Sequence, residues 1–524
     1  MAASALTEEF RSKILQLHKT WQPTCQELTR EGIGIPADSW QEGFTVPRVL
    51  PQHLGSRRFC EEHGLKYPYM GGAMAGAISS VEMVVALGKA GMLGSFGAGG
   101  LALDEIERSI LKIKEVLGEN QPFAVNLIHN PHDPAWEENL VSLLLKHRVR
   151  QVEASAYIKV GPPLVRYRVK GLYRNADGQV VAPNRVIAKL SRTEVAAQFC
   201  VPADAKLLAA LLSSGEITPH EAELAREIPL ADDITVEADS GGHTDNRPAF
   251  AIFPAVAALC ERMHELHPQV GMPRIGLGGG IATPHSVAAA FAMGAAYIVT
   301  GSVNQSCVEA GSSPAVKQLL ATAGAADVAM APSANMFEIG AKVQVLRRGT
   351  MFPMRAAKLY EIYNKYGSID EIPTEERGQL ENTIFRQSLD LVWQNTKDFF
   401  EVRDRSQLAR ADAAPRYKMA LIFRSYLGQA SRWAAQGVAD RKMDYQIWCG
   451  PAMGAFNEWS KGSWLEDAAS RRVVPVALNL LVGAAINARL QAFRHAGFTV
   501  PGAEMLLRPL SPDDLQQIIS HSES

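Results

Sequence analysis

The stretch RIGLGGGIATPHSVAAAFAMGAAYIVTGS, residues 274–302, decides the fold. It holds two short apolar runs, Arg274–Leu277 and Tyr297–Thr300, separated by the helical pattern Pro284–Met293. Each run ends in a glycine turn: Gly276-Leu-Gly-Gly-Gly-Ile-Ala-Thr-Pro284 after the first, Val299-Thr-Gly-Ser302 after the second. Strand, glycine corner and helix in this order form a βα unit, and consecutive units lay their strands parallel.

The same alternation runs upstream as far as Tyr67. Six further strand candidates precede the quoted stretch: Tyr67–Met70, Met92–Phe96, Phe123–Leu127, Gln151–Ala154, Val186–Leu190 and Ile234–Ala238. Helical patterns fill the gaps, among them Ser79–Lys89, Asp104–Leu117, Trp136–His147, Thr193–Phe199 and Ala249–Glu265. Eight units in about 235 residues match the size of an α/β TIM barrel, (β/α)₈. A doubly wound open sheet is the alternative for the same alternation. Residues 204–228 carry two amphipathic runs split by Ser213–Gly215 and Thr218–Pro219, a helical insertion before the sixth strand.

Three regions follow: an N-terminal segment 1–66, a barrel 67–344, and a mostly helical region 345–524. After Gln344 the strand alternation stops, and the helical runs Met354–Tyr366, Glu375–Phe400, Tyr417–Leu427 and Arg471–His495 take over, the last of them expected to pack back on the barrel. A length of 524 residues exceeds what one hydrophobic core supports, consistent with more than one unit. Hydrophobic residues make up 47% and charged residues 21%, a globular balance, and the net charge of −2 offers no field for nucleic acid or acidic lipid. The six cysteines form no CxxC pair, which argues against a zinc knuckle or a disulfide framework. Glu8 and Glu9 precede any apolar run, unlike a secretory leader, and Val473–Ile486 is shorter than a bilayer span and contains Asn479. These features give the expectation of a cytoplasmic protein with no membrane segment.

In TIM barrels the loops after strands seven and eight often bind phosphate through backbone N–H groups and a helix N-terminus. Gly279, Gly280 and Gly301 allow close backbone approach there, and the Ser302 hydroxyl adds a hydrogen bond. Gly71-Gly-Ala-Met-Ala-Gly76, after the first strand, has side chains small enough for a flat ring to lie on the backbone; close helix–strand packing would select the same residues. Glu237-Ala-Asp-Ser-Gly-Gly-His243 ends the sixth strand, placing His243 on a Gly241–Gly242 corner suited to proton transfer. Asn126 and Lys189 end the third and fifth strands, where polar side chains belong either to the active face or to a solvated terminus. Other chemistries lack their motifs. There is no GxSxG, Gly276-x-Gly278 lacks the third glycine of a dinucleotide fingerprint, and His264-Glu-Leu-His267 is not HExxH. No metal site is expected.

Several longer runs carry a resemblance: VEASAYIKVGPPLVRY, ADSGGHTDNRP, LRRGTMFPMRAAKLYEIY and DYQIWCGPAMGAFNEW, together with the glycine-rich stretch already quoted. Over roughly residues 40–500 the chain resembles the PfaD family, trans-acting enoyl reductases of polyunsaturated fatty-acid and trans-acyltransferase polyketide synthesis. Its barrel is also similar to nitronate monooxygenases and flavin-containing enoyl-carrier reductases. The resemblance implies FMN as cofactor, NADPH as reductant, and an acyl carrier protein as partner, and is compatible with a homodimer. It implies that Gly72, Ala73 and Met74 lie along the flavin ring, that Asn126 and Lys189 meet its polar edge, and that Gly279, Gly280, Gly301 and Ser302 hold its phosphate. His243, on the Gly241–Gly242 corner, would by the same resemblance be the proton donor or a substrate-polarising group. Thr244-Asp245 departs from the small continuation found in the nitronate enzymes, which argues against simple nitronate oxidation. A non-catalytic scaffold for a synthase is a third reading. In the helical region, Tyr445 and Trp448 beside a Gly-Pro turn are expected to form a pocket wall, with Arg441 and Lys442 meeting the carrier.

Overall fold

The computed structural model describes residues 49–119, 121–130, 133–495 and 507–523; most of the N-terminal segment expected for residues 1–66 lies outside them. Eight parallel strands close into a barrel: β1 (Tyr69–Gly71), β2 (Leu93–Phe96), β3 (Ala124–Ile128), β4 (Gln151–Ser155), β5 (Arg185–Leu190), β6 (Asp233–Glu237), β7 (Arg274–Gly278) and β8 (Ile298–Thr300). Each pairs with its sequence neighbour, and β1 meets β8 with Tyr69 opposite Ile298 and Gly71 opposite Thr300. The open sheet is thereby excluded. All eight strands fall on the apolar runs of the sequence because a parallel strand is covered on both faces and reads as a continuous hydrophobic run.

The barrel floor is polar. The first residues of β4, β5, β6 and β7 are Gln151, Arg185, Asp233 and Arg274. Helix Arg57–His63, capped by Ser56 and stopped by left-handed Gly64, brings Glu62 and His63 to them. His63 Nε2 lies 2.6 Å from Asp233 Oδ2 and its Nδ1 3.0 Å from Gln151 Oε1. Arg274 donates to Asp233 at 2.6 and 2.9 Å and also to Glu62. Phe59 of the same helix stacks on Tyr297, with ring centroids 4.2 Å apart. Polar groups at this end of a TIM barrel serve stability.

The chain separates into two compact units. The barrel, residues 246–310 and the segment from Ala455 onward form one. In it, residues 204–228 hold helices Ala205–Ser213 and Pro219–Leu224. Helix Val473–His495 is long and apolar enough to cross a bilayer, yet 78% of its most apolar window is buried within the protein. It packs on helix Pro284–Ala292, where a Cβ on Gly483 would sit 2.5 Å from Pro284. This is the buried core helix that the sequence indicated.

The second unit comprises Asp239–Asp245 and Gly311–Gly454. After helix Pro314–Ala321 it holds an antiparallel hairpin, Val328–Pro332 with Lys342–Leu346, so strand pairing continues two residues past Gln344. A smaller hairpin, Tyr173–Arg174 with Val180–Val181, also escaped the sequence reading, each arm being too short to show a period. The expected helix Glu375–Phe400 is in fact broken. Helix Thr374–Gln379 runs into a π-helical turn, Leu380–Phe385, Arg386 turns left-handed at φ 56, and a new helix starts at Leu389 with the Ser388 cap. Arg386 and the cap break the backbone ladder without interrupting the apolar spacing. The core of this unit is aromatic, with Phe337, Phe352, Phe385, Phe423 and Tyr426 buried together.

Candidate functional site

At the C-terminal end of the barrel the polar strand-end residues gather around one buried carboxyl, Glu153 of β4, which is fully enclosed. Its Oε2 accepts the Ala73 N–H at 2.7 Å. Lys189 Nζ stands 3.9 Å from its Oε1 and 3.5 Å from Glu237 Oε1. Burial pushes the Glu153 carboxyl upward, only partly offset by Lys189. Burial alone would lower the Lys189 ammonium; Glu237 and Glu153 together overcome it and raise the group. Lys189 therefore lies between two carboxyl groups, and the solvated-terminus alternative does not apply to it. Asn126 is buried, donating to the Glu153 carbonyl at 3.0 Å and to Ser155 Oγ at 2.9 Å. Glu153 and Glu237 were not singled out by the sequence; only the i, i+2 alternation of Glu153 with Ser155 on β4 marked a polar inner face.

The glycine loops sit at the same end. The Gly72 N–H donates to the Thr300 carbonyl, and the Met74 N–H to Ser79 Oγ, so the corner after β1 is tied to the end of β8. Tyr69 bonds through its hydroxyl to Thr300 and to Asn304, bracing the turn of Gly301 and Ser302 from inside. After β7, Gly279 and Gly280 take φ of 84 and 72, a left-handed pair that side chains resist. A Cβ on Gly280 or on Gly301 would meet no atom within 4 Å, leaving open space beside both turns.

The sequence continues from β6 into the second unit, where Gly241, Gly242 and His243 lie. Gly242 pairs with Gln344 in both directions, at 2.9 and 2.7 Å, and the Gln344 amide donates to Asp239 Oδ1 and the Ser240 carbonyl. Gly241 admits no side chain, since a Cβ would lie 2.8 Å from the Cys449 nitrogen. His243 is exposed, with Nε2 3.1 Å from Ser333 Oγ.

Trp448 pairs with Val345 as an isolated bridge, and Tyr445 is wholly buried, its hydroxyl donating to the Val438 carbonyl at 3.0 Å. Arg441 does not present its charge to solvent. Its guanidinium donates to the Ile384 and Phe385 carbonyls and to Asp444, and lies 4.4 Å from the Trp433 ring centroid. Asp444, fully buried, also receives Arg355, Arg386 and the Tyr426 hydroxyl. Lys442 is exposed. The expected docking pair is thus split, because the carbonyls left open by the π-helical turn recruit Arg441. We expect Arg441→Ala to lower the denaturation midpoint of this unit while Lys442→Ala leaves it in place; equal midpoints would remove Arg441 from the structural role.

A closed parallel barrel with glycine turns after its last two strands and a polar cluster at the strand ends defines a TIM-barrel protein with a small-molecule site at its C-terminal face. Residues 57–371 match the nitronate monooxygenase family, and the chain belongs to that family. Residues 366–445 match the inserted helical domain of acyl-carrier-protein S-malonyltransferase. The chain is 46% identical, over 94% of its length, to a polyunsaturated fatty acid synthase polypeptide of Thraustochytrium, and 46% identical, over 88%, to polyketide biosynthesis protein PksE of Bacillus subtilis. It spans 33% and 60% of those two proteins. Among solved structures it is similar to the enoyl reductase domain of MlnA from the macrolactin cluster of Bacillus amyloliquefaciens, with a TM-score of 0.80 and 40% identity, covering 85% of this chain and 98% of that one.

Proposed function

We propose that the chain is a trans-acting enoyl reductase that reduces α,β-unsaturated acyl thioesters on an acyl carrier protein, with FMN and NADPH, in polyketide or polyunsaturated fatty-acid synthesis. The observation that carries the reading is the enclosed Glu153–Lys189–Glu237 cluster beside two open glycine turns, in a chain 40% identical to an enoyl reductase domain. The residues fit the flavin. The space beside Gly280 and Gly301 suits its phosphate, which Gly279 and Ser302 would also hold. Gly72, Ala73 and Met74 would line the ring, with Asn126 and Lys189 at its polar edge. When bound, FMN supplies the hydride for the β-carbon of the enoyl group. The protein's own residues position the thioester, exclude water, and move the proton: His243 delivers it to the α-carbon, and Gly241–Gly242 set the histidine on its corner. The match of residues 366–445 to a domain of a carrier-dependent enzyme supports the carrier as partner.

Nitronate oxidation is the second reading, favoured by the family match over residues 57–371. Anaerobic incubation with NADPH and crotonyl-carrier protein separates the two. Mass spectrometry should find the acyl chain two hydrogens heavier, and denaturation should release FMN. A product formed only from nitronate and O₂, or release of FAD in place of FMN, would overturn the proposal.

A further inference from the structure

A histidine stands at the C-terminal end of the barrel, within the barrel's own unit. His129 directly follows β3, and its backbone N–H donates to the Ser155 carbonyl at the end of β4. Its Nδ1 lies 3.0 Å from Oε2 of Glu137, on helix Pro134–Lys146. Glu137 is buried, and its other oxygen accepts the Tyr157 hydroxyl at 2.7 Å. Tyr157, two residues beyond β4, stacks on the imidazole with centroids 4.8 Å apart. The ring is thus held on one edge by a carboxylate and on one face by an aromatic, while its side chain keeps 19% of its surface exposed. Among the described residues nothing bonds to Nε2. A carboxylate accepts only, so Glu137 holds a proton on Nδ1; a second proton on Nε2 makes the ring an imidazolium whose counter-charge is already in place.

We propose that His129 is a catalytic residue of the enoyl reduction, its imidazolium donating Nε2–H to the thioester carbonyl oxygen, with Glu137 and Tyr157 as positioning residues. The inference rests on the function proposed above. Hydride addition at the β-carbon moves the C=C electron pair towards the carbonyl, which becomes an enolate oxygen. A donor placed there in advance lowers the barrier, and the proton that completes the reaction goes to the α-carbon from elsewhere. His129 remains adjacent to the end of β3, whose Asn126 belongs to the polar cluster around Glu153.

The test pairs kinetics with a spectroscopic readout. In single turnovers of NADPH-reduced holoenzyme with crotonyl-N-acetylcysteamine, His129→Gln is expected to slow acyl reduction about 10²–10³-fold, the loss typical of one oxyanion donor, with reduction by NADPH unchanged. His147→Gln, at a histidine paired instead with Glu107, should keep the rate, which separates catalysis from packing. Imidazole ¹⁵N spectra of the wild-type protein with butyryl-N-acetylcysteamine should show both ring nitrogens of His129 protonated, with the Nε2 signal shifted from its position in the free protein. In Glu137→Gln the doubly protonated form should be depleted. A parental rate for His129→Gln, or an Nε2 signal that the thioester does not move, would overturn the assignment. If wild type binds the thioester with that shift but does not reduce crotonyl thioester, the proposed function fails while His129 stands as a thioester-binding residue.

Discussion

His243→Ala is expected to retain FMN and accept hydride from NADPH at the parental rate, yet to lose about 10²–10⁴-fold in turnover of the enoyl thioester. That range is the usual contribution of a general acid, about 3–5 kcal/mol of transition-state stabilisation. The residue stands on a corner that only glycine can form. Gly242 has φ of 86, and Gly241 backs onto the Cys449 backbone. Its hydrogen bond to Ser333 orients the ring from within the second unit. Stopped-flow resolves the two half-reactions. Parental reduction of the thioester by the variant would show that the histidine serves the Ser333 contact alone.

Asp233→Ala should destabilise the barrel by about 3–5 kcal/mol, the penalty for leaving a buried cation without its partner. Asp233 is completely enclosed, and its carboxylate takes bonds from both His63 and Arg274. Removing it leaves the Arg274 guanidinium with Glu62 alone as a carboxylate partner among the described residues. Asp104→Ala, breaking an exposed pair with Arg108, is the control and should leave the urea midpoint in place. A similar small shift for both variants would mean that water reaches the floor of the barrel.

The same cluster sets an acid limit. Burial would raise Glu62, but Arg274 and Arg58 outweigh it and hold the carboxyl down at about 2. Asp233 is likewise lowered, burial being overcome by His63 and Arg274. Both folded values lie below the unfolded ones, so this stabilisation is full above about pH 4.5 and drains away as the pH falls towards about 2. In Asp233→Ala the remaining slope between those limits should be shallower than in the parent.

Much of this protein was determined by the sequence alone. The eight strands were legible because burial on both faces demands unbroken apolar runs, and the corners after β7 and β8 because left-handed turns demand glycine. The buried character of Val473–Ile486 was legible from its composition, with Asn479 inside an otherwise apolar run. What the sequence could not carry was partnership. Lys189 and Glu153 are 36 positions apart, and only the parallel pairing of β4 with β5, with Ser155 opposite Lys189, brings them together. Arg441 looks like a surface cation until the π-helical turn, far back along the chain, exposes the Ile384 and Phe385 carbonyls to it. His129, Glu137 and Tyr157 come from a loop, a helix and a strand end, with no shared motif. Local patterns encode which face of an element is buried; which charge meets which is decided when distant segments compete for the same low-dielectric space, and that competition exists only in the folded chain.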